Sequence, residues 1–202
     1  MNKRHIKKAL DDIAKTDKHV ASALDKVGYP EARHRPTGFE AFLTAIISQQ
    51  ISNKAAATIK QRVLDTLDEV TAECVVYTAP EVMREAGMSQ RKVEYAQGLA
   101  QAIVTGEFDP DGLHDLDDES AVKEITKLRG FGVWSAEVYL MFSLGRKDIF
   151  PADDLIIRQS LQKLKRKRDK LTATKARELV SHWAPYRSAG SLFLWHFHHA
   201  QP

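Results

Sequence analysis

Apolar residues recur at steps of three and four along nearly the whole chain. No stretch shows the sustained alternation, with β-branched and aromatic enrichment, that marks a sheet. The pattern predicts an all-α protein. In segment 38–67 the stripe runs through Phe39, Phe42, Ile46, Ile47, Ile51, Ala55, Ile59 and Val63. Polar Ser48, Gln49 and Gln50 interrupt it, which predicts two helices joined by a tight connection. Pro80 sits where a first helical turn favours proline and opens a short helix ending near Gly87. Ser89 then caps a helix through Val93, Tyr95 and Leu99 to about Val104.

The stretch 105–112 is turn chemistry and is expected to link two lobes, 38–106 and 107–202, with the N-terminal helix completing the second. Beyond it the pattern predicts a short helix over 121–128, a turn at Gly130-Phe131-Gly132, and a helix over 133–144. After a loop at 145–148, Asp153 or Asp154 begins the next helix. A last pair, 174–183 and 188–198, is broken at Pro185.

Composition narrows the class. With 43% hydrophobic and 28% charged residues over 202 positions, the chain is expected to be a soluble globular protein of one domain or two small helical lobes. The basic start lacks a secretory pattern and no apolar run is long enough to cross a bilayer, so a cytoplasmic, nucleoid-associated location without membrane attachment is expected. A single cysteine, Cys74, excludes an internal disulfide and a four-cysteine iron–sulfur cluster. The net charge of +3 says little about nucleic acid, and the run Lys163, Lys165, Arg166, Lys167, Arg168 and Lys170 reads equally as a phosphate contact or a solvated loop. His196, His198 and His199 lack the spacing of metal ligands and are expected on the surface of the last helix.

The sharpest local signal is Leu128-Arg129-Gly130-Phe131-Gly132-Val133-Trp134-Ser135-Ala136-Glu137, where one helix stops and another starts. Glycines at 130 and 132 permit positive φ and leave the backbone bare, so a phosphate oxygen can reach amides at the start of the following helix. Phe131 is expected to turn inward and fix the bend. An ordinary helix-to-helix turn with a glycine cap would use the same residues.

The ten-residue string resembles the helix-hairpin-helix of DNA base-excision glycosylases. The segment Phe150-Pro151-Ala152-Asp153-Asp154-Leu155-Ile156-Ile157-Arg158 is similar to the family segment that carries the catalytic aspartate. The nearest branch is that of the 3-methyladenine DNA glycosylases II, and the likeness covers roughly 38–195. It implies a two-lobed helical fold with the active-site cleft between the lobes. It also implies a monofunctional hydrolase that removes alkylated purines from double-stranded DNA, as a monomer and with no required cofactor. It further implies a monovalent cation held by the backbone carbonyls of Thr126, Leu128 and Phe131.

Residue by residue, the resemblance makes Asp154, twenty positions after Trp134, the catalytic carboxylate and leaves Asp153 as the helix cap. Gly130, Phe131, Gly132 and Val133 are matched to the phosphate clamp. Gln50, beside Gln49, is matched to the side chain that fills the gap left by a flipped base. Trp134 and Trp195 match positions lining the base pocket, with Tyr139, Phe39 and Val138 on nearby segments. Val138 stands where a related enzyme has an aromatic residue. Arg187 either touches phosphate or buttresses the active-site helix. Strand-cleaving members of the superfamily place a lysine where Trp134 stands, and an indole cannot form a Schiff base. Two other readings remain: a noncatalytic DNA-binding module in which Asp154 only caps a helix, and a glycosylase for a neutral lesion.

Overall fold

The computed structural model describes residues 1–200, and among these every regular element is helical. The order is α1 (Lys3–Thr16), α2 (Lys18–Val27), α3 (Gly38–Ser48), α4 (Asn53–Asp65), α5 (Ala72–Tyr77), α6 (Pro80–Glu85), α7 (Gln90–Val104), α8 (Asp118–Lys127), α9 (Val133–Phe142), α10 (Leu155–Leu164), α11 (Ala173–Leu179) and α12 (Arg187–His199), with short 3-10 turns at Gly112–His114 and Ser181–Trp183. No helix among the described residues is long and apolar enough to cross a membrane.

The chain divides into two compact units. One is residues 35–136; the other joins residues 1–34 to the chain from Glu137 onward. In the first unit α3 buries Phe42, Leu43, Ile46 and Ile47, and α7 buries Val93, Ala96, Leu99 and Ala100. Ser89 caps α7 through the Lys92 amide, as the sequence predicts. The expected lobe boundary at 105–112 is corrected, because that stretch lies inside this unit. Phe108 explains the difference. Its ring is buried and meets Phe42 edge-on at 5.3 Å, and its amide bonds the Ala102 carbonyl at 3.0 Å, so the turn is anchored to the core.

In the discontinuous unit α12 is buried continuously from Ser188 to Leu194. Gly190 lets it approach the fully buried Trp183, since a Cβ at 190 would come within 2.4 Å of the indole. Asp17 joins the two ends of the chain. Its Oδ1 caps α2 by accepting from the amides of His19 and Val20. Its Oδ2 accepts from Trp183 Nε1 at 2.7 Å and from Lys165 Nζ, with His182 Nε2 at 3.1 Å. Burial alone would push this carboxyl up; the bonds from Lys165, Trp183 and His182 outweigh it and hold the group at about 2.

Candidate active site and nucleic-acid interface

The hairpin follows α8. After Leu128 the chain reverses, with the Phe131 amide bonded to the Leu128 carbonyl at 3.1 Å. The two glycines have different tasks. Gly130 takes φ +93°, and a Cβ there would lie 2.4 Å from the Tyr95 ring, so α7 packs directly against the bare backbone. Gly132 keeps an ordinary φ, and a Cβ there would meet nothing within 4 Å. The open approach expected of both glycines therefore belongs to Gly132. Phe131 is turned inward, 5.4 Å from the Phe42 ring.

Helical bonding in α9 begins at the Gly132 carbonyl, which accepts from Ala136 at 3.1 Å. The first turn of a helix is where backbone N–H groups lack acceptors in their own helix, and the helix dipole adds attraction for an anion. Val133 and Trp134 stand exposed at that turn, at 43% and 45%. Of the three carbonyls matched to a cation, that of Leu128 already accepts one N–H, and a carbonyl oxygen retains a second lone pair.

Between α3 and α4, Gln50 adopts φ +56° with its side chain exposed. Left-handed backbone in a residue other than glycine costs roughly 1–2 kcal/mol and marks a constrained position. The turn is held from both sides. Lys92 Nζ donates to the Ile47 carbonyl at 2.7 Å, and Gln49 Nε2 donates to the Gly130 carbonyl at 2.8 Å. Gln49, matched to a DNA contact, thus ties the Gln50 turn to the hairpin.

The aspartate segment leads into α10. Pro151 and Ala152 are buried, and the Asp154 amide bonds the Pro151 carbonyl at 3.0 Å. This turn sets Asp154 at extended backbone angles immediately before Leu155, and its Oδ1 accepts from the Ile157 amide at 2.9 Å. The expected division of roles is corrected: Asp154, assigned the chemistry, is also the cap. Asp153 is exposed and lies 4.0 Å from Arg158, whose guanidinium donates to the Ala152 carbonyl. The capping bond holds the Asp154 carboxyl group in a fixed orientation at the start of α10.

The residues matched to the base pocket differ in access. Trp134 is exposed, Trp195 and Phe39 are half-buried, and Val138 and Tyr139 are buried. Trp195 on α12 packs against Phe142 of α9, ring centroids 5.7 Å apart. Arg187 grips Asp148 with Nε at 2.8 Å and Nη2 at 2.7 Å, and its own amide donates to the same carboxylate. The pair ties the start of α12 to the loop at 145–148, and a phosphate contact would have to share the guanidinium with Asp148. Burial pushes the Asp148 carboxyl up, and Arg187 more than offsets this, leaving it below the usual value.

Sequence reasoning gave no role to Glu137. This acid is buried on α9, with Oε1 accepting from Arg177 Nη2 of α11 at 3.0 Å. Burial raises its carboxyl, Arg177 pulls it back, and Asp153 pushes it up again, to about 7. An acid just before the apolar run 138–142 is the signal that could have found it.

Two helices joined through a glycine hairpin, followed by an aspartate at a helix start, are the elements that the helix-hairpin-helix resemblance predicts. The profile of the HhH-GPD superfamily base excision DNA repair proteins matches residues 43–185. The chain belongs to that superfamily. It is 32% identical over 164 residues to the DNA-3-methyladenine glycosylase 1 of Schizosaccharomyces pombe, covering 78% of this chain and 71% of that protein. The solved structure of a 3-methyladenine DNA glycosylase from the same yeast, in complex with abasic DNA, superimposes with a TM-score of 0.82 at 29% identity, covering 93% of this chain and 95% of that one. A DNA-3-methyladenine glycosidase from Bacillus halodurans gives 0.83 at 27% identity, covering 93% and 87%.

Proposed function

We propose that this protein hydrolyses the N-glycosidic bond of alkylated purines in double-stranded DNA, acting alone and leaving the abasic strand intact. The observation that carries the reading is Asp154, an oriented carboxylate at the start of α10 in a chain of this superfamily. Methylation at N3 or N7 leaves a purine positively charged and already a good leaving group, so no acid is needed to protonate it. The remaining task is to stabilise the oxocarbenium-like sugar and guide water to the anomeric carbon. At about 4 Å and an effective dielectric of about 20, a carboxylate and a unit positive charge attract by roughly 4 kcal/mol, an upper guide to about three decades of rate.

The other residues serve access. A base inside duplex DNA must be flipped out, at a cost of a few kcal/mol. The exposed Gln50 fits the side chain that fills the gap, and the bare start of α9 fits a phosphate. An exposed indole such as Trp134 attracts a cationic purine more strongly than a neutral one. The carbonyls of Thr126, Leu128 and Phe131 would hold a monovalent cation that offsets phosphate charge; the hydrolysis itself takes only water. We place the working form as a monomer in the cytoplasm, at the nucleoid.

The capping bond of Asp154 also favours a second reading, in which the carboxylate only starts α10 and the chain binds DNA without acting on it. Chromatography of bases freed from methylated duplex DNA separates the two. Release of 3-methyladenine or 7-methylguanine supports the hydrolase; binding without release leaves the module.

A further inference from the structure

Glu137 ends the hairpin string and has no part in the chemistry above. Its neighbours Ala136, Val138 and Leu140 are buried, and its own side chain is only 11% exposed. Arg177 satisfies Oε1, but Oε2 is buried with no hydrogen-bond partner among the described residues. A carboxylate half satisfied in apolar packing is costly, and a methionine of similar volume would pack there without that cost. Arg177 from α11 is bonded to it, and the negative charge of Asp153 in the segment before α10 acts on it as well. Asp153, whose negative charge raises the Glu137 carboxyl, adjoins Asp154 on the segment that leads into α10.

We propose that Glu137 is a positioning residue for base excision: with Arg177 it sets the electrostatic potential at the Asp153–Asp154 segment, and so how strongly that segment favours a cationic sugar. This rests on the reading of Asp154 as the carboxylate of the reaction. When Oε2 carries a proton, Glu137 is neutral and the Arg177 charge is uncompensated, which opposes positive charge on the sugar. When Oε2 is ionised, the pair is neutral and the segment's own negative charge acts in full. The proton stays on to about pH 7, because burial holds it there more strongly than Arg177 expels it. Base release therefore rises through neutrality, although a purine methylated at N3 needs no protonation to leave.

The test is single-turnover release of 3-methyladenine from methylated duplex DNA between about pH 5.5 and about pH 8.5. The wild-type rate should climb about fivefold with a midpoint near 7. Glu137→Gln should hold the low-pH rate across the whole range with DNA affinity unchanged, an outcome that a merely structural acid would not produce. Arg177→Gln should move the wild-type midpoint upward, which keeps the inference testable should the glutamine variant not fold. A flat wild-type profile, an inflection that survives Glu137→Gln, or a midpoint unmoved by Arg177→Gln overturns the role of Glu137 while leaving Asp154 untouched. A wild-type protein that frees no alkylated base removes the Asp154 reading, and the Glu137 inference goes with it.

Discussion

The side-chain amide of Gln49 reaches the backbone carbonyl of Gly130, 81 positions along the chain, at 2.8 Å. It couples the turn that carries the exposed Gln50 to the turn that precedes α9. Truncation as Gln49→Ala should lower stability by about 1 kcal/mol, the usual worth of one such bond, and weaken binding to lesion-containing DNA. Gln50→Gly relieves the left-handed backbone, so its stability should stay within about 1 kcal/mol of wild type while base release falls. Thermal melts beside single-turnover assays check both, and equal base release in Gln50→Gly and wild type would remove Gln50 from the wedge role.

Asp154→Asn separates the cap from the chemistry. Asparagine caps helices as well as aspartate, so the melting temperature and DNA affinity should hold while base release drops by up to about three decades. Asp153→Asn should be much milder. Undiminished excision by Asp154→Asn would sink the mechanism.

Incubation of the wild-type protein with lesion-containing DNA and borohydride should yield no covalent adduct on a denaturing gel. The reason is the indole of Trp134, which offers no amine to the sugar. A trapped protein–DNA band would show strand-cleaving chemistry.

The hairpin glycines should respond differently to alanine. At Gly130 the new methyl meets the Tyr95 ring in a backbone of φ +93°, and the loss of stability should reach about 3 kcal/mol. At Gly132 the methyl enters open space, so stability should hold while affinity for DNA falls, as measured by fluorescence anisotropy.

Asp17 should govern acid stability. Its folded value of about 2 lies below the ordinary 3.8, so its contribution is complete above the ordinary value and is lost as the pH falls through about 2. The difference amounts to about 2 kcal/mol. Asp17→Asn should flatten the acid side of the stability profile, and at neutral pH should cost roughly 3 kcal/mol by leaving Lys165 without its counter-charge. Denaturant titrations at a series of pH values measure both.

The helical stripes, the cap at Ser89 and the hairpin string were legible in the sequence because each is a local pattern of spacing or turn chemistry. Phe108 was not, because the 105–112 stretch reads as a linker until the Phe42 ring is seen against it. The sequence does not distinguish Asp153 from Asp154 as the cap, because adjacent acids at a helix start differ only in which backbone angles they receive, and the Pro151 turn decides that. Gln49, Asp17 and Glu137 depend on partners 81, 148 and 40 positions away, distances at which spacing carries no information.

The staple at Asp17 also bears on the order in which the chain can acquire its structure during synthesis. Residues 35–136 are continuous and can begin to pack as soon as the hairpin has left the ribosome. The unit containing Asp154 must instead keep its opening helices waiting until Lys165 and Trp183 arrive. The part assigned the chemistry is thus the last to be completed.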